Sequence, residues 1–548
     1  MIQEPQNSLT SPEKKTSIKL EMVVLIIIWG LFSTAHLLWL WKNQRPLYWD
    51  QSHHFLLALD CLEAFSDPRT WVKIFSLDAK YPPLFHLSLA GLFWFVGPTI
   101  RFAASINLFW VLATMIPIWL LGRKIYGPWA GIVAATTFIL SPIGAGLPRE
   151  VLIEVCLTAL VAWTVWLLSE TQGLSRRRPV VFLGVLFGLG LLAKWIYLPL
   201  VAGPFLWALT QADPKRNPID WKGLKWALIF CLAIALPWYL HTPRTLIKVL
   251  FYSGWTYGAE QAYPKVFSLA GWLRYPELLI NNQLFLGTSL FVFLGIGWNL
   301  LKNRRQAAFL LAWFFPGLLF ITFLRTKDTR FLFPLLPATL LLGVGWVFSL
   351  TSQRARKPAQ VLILLFPLWA FLGTSLRLPV LSEEIDLRLG SALFRLSGPT
   401  AGYAWPPDPA DWSIPLIFKT LLQDRSNPGS PVRLAVLSDL PAFHKDAFKV
   451  WGRAHGLPIT VQSVLDTKKW TPGGERESLI AEIAQLDYLL TKTGDLGPGD
   501  FFKAQELLDL DSLEREGRIS PMSRFSLPDG TLATLWRITM TGADRTIK

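Results

Sequence analysis

The chain has 548 residues with 27 Trp and 36 Phe, and only 17% of it is charged, against about 25% in typical soluble domains. Mean hydropathy is +0.37, and that much apolar surface needs lipid as well as a protein core. Disorder, collagen and disulfide-rich miniproteins are excluded by the same figures.

The net charge of +15 is unevenly spread. Residues 381–548 carry 19 Lys+Arg and 22 Asp+Glu, which leaves 34 and 16 to residues 1–380. The basic excess sits in short clusters between apolar runs, as in the cytoplasmic loops of a membrane protein, so nucleic acid is not the expected partner. The three cysteines, Cys61, Cys156 and Cys231, show no metal spacing and no disulfide framework.

Residues 1–18 form a polar tail with Lys14 and Lys15. The run from Leu20 to Trp41 is too long for the apolar part of a cleaved signal and reads as a first span, with the tail cytoplasmic. Further apolar runs follow at 84–97, 100–121, 128–146, 150–169, 179–193, 195–210, 223–240, 284–301, 307–324, 331–350 and 359–378. Basic clusters lie at Arg123-Lys124, Arg176-Arg177-Arg178, Lys215-Arg216, Lys302/Arg304/Arg305 and Arg354/Arg356/Lys357. All fall on the inner side if the short run 84–97 lies in or dips into the outer interface. The expected fold is therefore a polytopic α-helical membrane protein of about eleven spans. Its N-terminus is inside, and its long outer loops are 42–99 and 241–283.

From about residue 379 the pattern alternates. Val432–Ser438, Ile459–Val464 and Tyr488–Thr491 read as strands, and Phe443–Ala454 and Glu477–Gln485 as helices. Arg524–Ile538 reads as a hairpin turning at Pro528-Asp529-Gly530. Residues 19–380 thus form a transmembrane domain and 381–548 an extracytoplasmic α/β domain. The latter lacks a Gly-rich phosphate fingerprint. Asp509-Leu510-Asp511 is similar to a metal-holding acid pair but sits in a charged tail and reads as a solvated face.

Ionisable residues near membrane depth are costly, and in this topology they gather outside. Asp50 stands in Tyr48-Trp49-Asp50-Gln51-Ser52-His53-His54 after the first span. Lys80-Tyr81-Pro82-Pro83 closes the same loop. Arg149 and Glu154 straddle a span start, Lys194 ends a span, and Arg325, Lys327, Asp328 and Arg330 share a tight turn. A carboxylate can take a proton from an attacking hydroxyl. Arg and Lys can hold a phosphate and stabilise it as it departs. The set suits transfer of a group from a lipid-linked phosphate to a hydroxyl or amine. A transporter or flippase for a lipid-linked anion would also place cations beside a phosphate, and that alternative stays open.

Taken together, Asp50, Lys80-Tyr81-Pro82-Pro83-Leu84, Arg101, Gly122-Arg123-Lys124-Ile125-Tyr126-Gly127 and Ser141-Pro142 with Arg149 and Glu154 form a recognisable order. Gly190-Leu191-Leu192-Ala193-Lys194 and Lys327-Asp328-Thr329-Arg330-Phe331 with Pro334 and Pro337 complete it. The pattern over residues 20–380 resembles the GT-C superfamily of polyprenyl- or dolichyl-phosphate-sugar-dependent glycosyltransferases. It is most similar to the branch of protein O-mannosyltransferases and the lipid A aminoarabinose transferase. The resemblance implies a bacterial plasma-membrane enzyme with a polyprenyl-phosphate-linked sugar donor and a protein, lipid or glycan acceptor. It implies Asp50 as catalytic base and Glu154 as a second acid. Lys80, Tyr81, Arg149, Lys194, Lys327 and Arg330 would face the donor's phosphate or sugar. Many relatives carry Asp-Glu where this chain has Asp50-Gln51, Asp where it has Glu154, and Arg-Tyr where it has Arg330-Phe331. The sugar and the need for a divalent metal, for which His53 and His54 are candidate ligands, stay open.

Overall fold

The computed structural model describes residues 17–241, 243–376, 378, 383–390, 392–400, 402–424, 431–465 and 475–540. Residues 1–16 of the expected cytoplasmic tail and the composition boundary at 380/381 lie outside the described residues.

A helix occupies every apolar run. In chain order these are α1 (Ile18–Lys42), α2 (Trp49–Ser66), α3 (Leu84–Val96), α4 (Ile106–Tyr126), α5 (Pro128–Leu140), α6 (Pro142–Gly146), α7 (Glu154–Glu170), α8 (Arg177–Ala193) and α9 (Tyr197–Thr210). They continue as α10 (Trp221–His241), α11 (Pro243–Phe251), α12 (Tyr257–Glu260), α13 (Leu269–Leu278), α14 (Phe285–Leu301), α15 (Arg304–Phe323), α16 (Leu336–Phe348) and α17 (Gln353–Leu376). Local chemistry sets the breaks. Gly127, at φ 105°, ends α4, and Pro128 opens α5, since proline's fixed φ and missing N–H suit a first helical position. Ser141 accepts a hydrogen bond from the Gly144 amide at the head of α6, an N-cap that lets the chain turn. The bend between the two helical pieces is 68°.

Among the described residues, six helical segments are long and apolar enough to cross a bilayer, or seven with the bent pair 128–140 and 142–149. α7 and α8 have 17 residues each and α9 has 14, short of the ~20 a span needs. The expected eleven spans are therefore not reached by length alone. The expected loops 42–99 and 241–283 are largely helical. The first holds α2, α3 and a 3-10 turn at Pro68–Ser76; the second holds α11 to α13 and two π-helical stretches, Tyr252–Thr256 and Leu279–Leu284. The helical pieces of the second loop are short and broken by Pro, Gly and polar residues, which hid the period.

The chain divides into two compact units, one of residues 1–40, 60–90 and 104–406, the other of residues 41–59, 91–103 and 407–548. The helical unit is packed by small residues. A Cβ on Gly184 of α8 would lie 2.1 Å from the Ala227 carbonyl oxygen of α10, so these helices meet backbone to backbone, as small residues allow in lipid. The same unit holds a hairpin of β1 (Ile385–Leu389) and β2 (Ala392–Ser397). Asn281 fastens it through its amide to the Leu393 carbonyl (3.0 Å) and through its carbonyl to the Arg395 amide (2.9 Å).

The second unit is built on α18 (Ile414–Asp424), β3 (Val432–Val436), β4 (Asp439–Leu440), β5 (Phe443–His444), α19 (Lys445–Ala454), β6 (Ile459–Ser463), α20 (Glu475–Ile483), β7 (Tyr488–Lys492), α21 (Gly499–Leu508), α22 (Leu510–Arg515), β8 (Ile519–Ser526) and β9 (Leu532–Ile538). Five strands form one sheet in the order β6-β3-β7-β9-β8. β3 runs parallel to both β6 and β7, and β9 is antiparallel to its neighbours. Successive residues of β3 face opposite cores: Leu434 and Val436 join Phe418, Phe448 and Leu535, while Ala435 and Leu437 join Ile483, Leu489 and Trp536. This is the period-2 alternation of a sheet covered on both faces. The expected strands, helices and hairpin are all present. Asp509 caps α22, accepting from the Ser512 amide.

Candidate active site

The site is assembled from helix ends in the helical unit. After α6 the chain makes a 3-10 turn at Leu147–Arg149. Asn107 of α4 pins that turn, its Nδ2 donating to the carbonyls of Pro148 (3.0 Å) and Glu150 (2.8 Å). Arg149 is thereby turned inward and buried. Its guanidinium lies 5.0 Å over the Trp39 ring, and one Nη donates to the Ser375 hydroxyl of α17. Its Nε and other Nη have no hydrogen-bond partner among the described residues. A buried cation with spare donors is a ready receptor for an anionic oxygen.

Glu154 opens α7, where the helix dipole favours a carboxylate. Lys194 stands in extended backbone between α8 and α9. It leaves the helix there and sends its ammonium to Glu154, Nζ to Oε1 at 2.7 Å, with both side chains buried. The Glu154 Oε2 has no partner among the described residues. Lys194 Nζ also lies 5.3 Å from the centre of the Phe331 ring.

The turn 324–330 supplies the third element. Asp328 caps a 3-10 helix over Thr329–Leu335 by accepting from the Arg330 amide at 2.9 Å. Arg330 donates to Asp328 Oδ2 from Nε (2.9 Å) and from Nη2 (2.7 Å). Gln283 holds the turn, its Nε2 donating to the Thr329 carbonyl at 2.7 Å. Burial opposes ionisation of Asp328, but the Arg330 guanidinium and, further off, the Lys194 ammonium hold its carboxyl below the usual range. Tyr403 belongs to the same electrostatic neighbourhood. Burial pushes its hydroxyl up; Arg330 opposes, while Asp328, Glu154 and Glu150 add to the rise. Gly146 permits its approach, since a Cβ there would lie 1.9 Å from the Tyr403 carbonyl oxygen.

Glu154, Lys194, Asp328 and Arg330 thus come together, with Arg149 one turn before Glu154. Lys327 does not present its amine in the same way. Its side chain is fully buried, its Nζ donates to the Thr322 carbonyl, and it lies 5.4 Å from the Tyr275 ring centre. Lys80 and Tyr81 lie in a separate turn of the same unit, where both amides donate to Asp78 Oδ1 and the Lys80 ammonium is 4.7 Å over the Tyr81 ring. Asp50, His53 and His54 are in the first turns of α2, in the other unit. The two histidine rings are 6.3 Å apart. Among the described residues no group of three or more His, Cys, Asp or Glu side chains converges as metal ligands would, and Glu154 and Asp328 are each already joined to a cation. Asn107, Ser375, Gln283 and Tyr403 escaped sequence reasoning. Their partners are distant in sequence, and their only signal was polarity inside or beside apolar runs.

Comparison with known proteins bears on this geometry. Residues 80–241 match the family model of dolichyl-phosphate-mannose-protein mannosyltransferases. Among solved structures, ArnT from Cupriavidus metallidurans in the apo state superposes with a TM-score of 0.56 at 14% identity, covering 94% of this chain and 97% of that one. The same protein bound to undecaprenyl phosphate gives 0.51 at 14% identity over the same shares. The Archaeoglobus fulgidus oligosaccharyltransferase in complex with Zn and sulfate gives 0.56 at 12% identity, covering 93% of this chain and 72% of that one. A search of curated protein sequences finds no match. The chain shares the fold of these two proteins, and the matched family segment lies within its helical part.

Two stability measurements follow. Lys194→Met leaves the Glu154 carboxylate buried without its partner, which costs ~3–5 kcal/mol when a buried pair is broken. The double variant Lys194→Met/Glu154→Leu is expected to lose less than the single one in thermal unfolding of the detergent-solubilised protein; equal or greater loss would contradict the pairing. Burial lowers the Lys327 pKa to about 8. The unfolded value is ~10.4, so the penalty for burying the cation is fully present below the folded value and fades as pH rises through it toward the unfolded one. Lys327→Met is expected to be more thermostable than the parent at pH 7, with the gain shrinking across that window. A gain independent of pH would show that the ammonium is not desolvated.

Proposed function

We propose that the chain transfers a sugar from a polyprenyl monophosphate to a hydroxyl or amine of an acceptor at the extracytoplasmic face. The observation that carries this reading is the cluster of Arg149, Glu154–Lys194 and Asp328–Arg330, cations fixed at helix ends with spare donors on Arg149. A group leaving as a lipid phosphate needs such donors already in place. A protein of this fold is known bound to undecaprenyl phosphate, which supports the donor class.

In this reading Asp50 accepts the proton of the attacking hydroxyl. The acceptor oxygen bonds to the anomeric carbon as the bond from that carbon to the phosphate oxygen breaks, with inversion. The electron pair leaves with the polyprenyl phosphate, whose growing charge is met by Arg149, Lys194 and Arg330. Glu154 keeps Lys194 in place. Lys80 and Tyr81 contribute to donor binding from their own turn. A monophosphate carries less charge than a nucleotide diphosphate, so fixed cations can supply what a metal supplies elsewhere.

Asp50→Asn is expected to abolish sugar transfer while donor binding persists, because the amide cannot take a proton. Arg330→Gln is expected to weaken donor binding roughly tenfold or more, since a hydrogen bond to a charged group is worth about 1.5–3 kcal/mol. Steady-state transfer assays and binding of radiolabelled donor check both. Full transfer by Asp50→Asn at normal expression would refute the base.

A further inference from the structure

The α/β unit has a feature that the transfer reading does not use. β3 and β7 are adjacent and parallel. The chain leaves β3 through α19 toward β6 on one side, whereas it leaves β7 toward β8 and β9 on the other. The strand order therefore reverses between β3 and β7. Open α/β sheets bind ligands in the crevice at the carboxyl ends of such a strand pair.

Here that place is built over by the chain itself. After β3 comes the β4–β5 hairpin, in which Asp439 and His444 are paired directly across the two strands. The Asp439 amide donates to the Leu496 carbonyl after β7 at 2.9 Å. Gly497, at φ +94°, lets the loops meet, because a Cβ there would lie 2.5 Å from the Asp439 carbonyl oxygen. The residues presented by this hairpin hold the segment before Asp50. Trp49 Nε1 donates to Asp439 Oδ1 at 2.7 Å. His444 Nε2 lies 3.2 Å from the Leu47 carbonyl oxygen, which also accepts from the Ser52 hydroxyl at 2.8 Å. The Trp49 and His444 rings are 6.1 Å apart. Further back, Asp408 fixes Asn43 and Gln44: its amide donates to Asn43 Oδ1 (3.0 Å) and its carbonyl accepts from the Gln44 amide (2.7 Å). Burial holds the His444 imidazole below its ordinary pKa, although the Leu47 carbonyl, Asp446 and Asp439 oppose that. A neutral ring with its proton on Nε2 is the donor the Leu47 carbonyl requires.

We propose that Asp439 and His444 are positioning residues for Asp50: the switch point of the α/β sheet grips Leu47 and Trp49 and so fixes where α2 begins and where its first-turn carboxylate points. This rests on the reading of Asp50 as the base. The α/β unit then acts on the chemical step, since a misplacement of about 1 Å at a reacting group can cost roughly 100-fold in rate. It does not act by binding acceptor in its crevice.

The test uses the purified full-length protein. Asp439→Ala and Trp49→Phe are each expected to lower kcat roughly 10- to 100-fold, with KM for donor and acceptor unchanged. Asp439→Asn, whose carboxamide oxygen still accepts from the indole, is expected to restore kcat. An Asp439→Ala enzyme with full kcat would overturn the proposal. So would a raised acceptor KM alone, which would make the crevice an acceptor site, or an Asp439→Asn enzyme as impaired as the alanine variant. A nitroxide on Asp50→Cys, in a background with the other cysteines replaced, separates this proposal from the base assignment. Asp439→Ala is expected to mobilise the label and Asp439→Asn to leave it ordered. If Asp50→Asn proves fully active, the base assignment has failed and the label decides the positioning claim; an unchanged spectrum in Asp439→Ala would overturn it.

Discussion

A charge buried inside a helix bundle costs several kcal/mol unless a partner and hydrogen bonds offset the loss of water. The Glu154–Lys194 pair meets that constraint at 2.7 Å with both side chains buried, and the local architecture follows from it. Lys194 can reach Glu154 because α8 ends at Ala193 and the chain turns extended before α9. Glu154 sits where α7 begins. Arg149 is carried by the 3-10 turn between them and the bend after α5, and Asp328–Arg330 by the turn ahead of α16. These helices are short, and their ends carry the clustered charges. A helix interior satisfies its own backbone and presents side chains sideways, whereas a helix end frees backbone, bends, and lets long cationic side chains turn toward one another.

Such an arrangement is suited to an anion that arrives and leaves. The donors are fixed before the anion comes, so little reorganisation accompanies the growth of charge on a departing phosphate. Both acids of the cluster are paired with cations, Glu154 through Oε1 with Lys194 and Asp328 with Arg330. In the proposed reading, proton transfer falls to Asp50. Asp50 lies in the first turn of α2, within a compact unit whose sheet packs a core on each face and whose hairpin holds the preceding residues. The sheet is a rigid support for a carboxylate at a helix start, and sites held by rigid elements are placed more accurately than sites on loops alone.

Much of this was legible in the sequence. Long apolar runs became helices because nothing else satisfies the backbone in lipid, and alternation after residue 430 became the covered sheet. Arg149, Glu154, Lys194 and Arg330 stood out because charge beside apolar runs needs a reason. Lys327 stood out for the same reason, and its ammonium gives one hydrogen bond to the Thr322 carbonyl; residue type gives no direction for a side chain. The loop 241–283 hid its helices because α11 and α13 are brief and α13 carries Gly271 and Pro276. Asn107, Gln283, Tyr403 and Asp439 were invisible, since each acts through a partner that only the folded chain brings near: 41 residues separate Asn107 from Pro148, and 390 separate Trp49 from Asp439. The compact units also cut the chain at 406/407 and draw in 41–59 and 91–103, a division that no shift in composition marks.

The central claim is that this protein cuts a sugar from its lipid phosphate. The most direct measurement incubates the purified full-length chain in vesicles with a panel of polyprenyl-monophosphate sugars and acceptors, and quantifies free polyprenyl phosphate. The account predicts release with at least one donor, in step with the appearance of glycosylated acceptor. Donor lipids that cross intact from one leaflet to the other, with no lipid phosphate released from any of them, would contradict it.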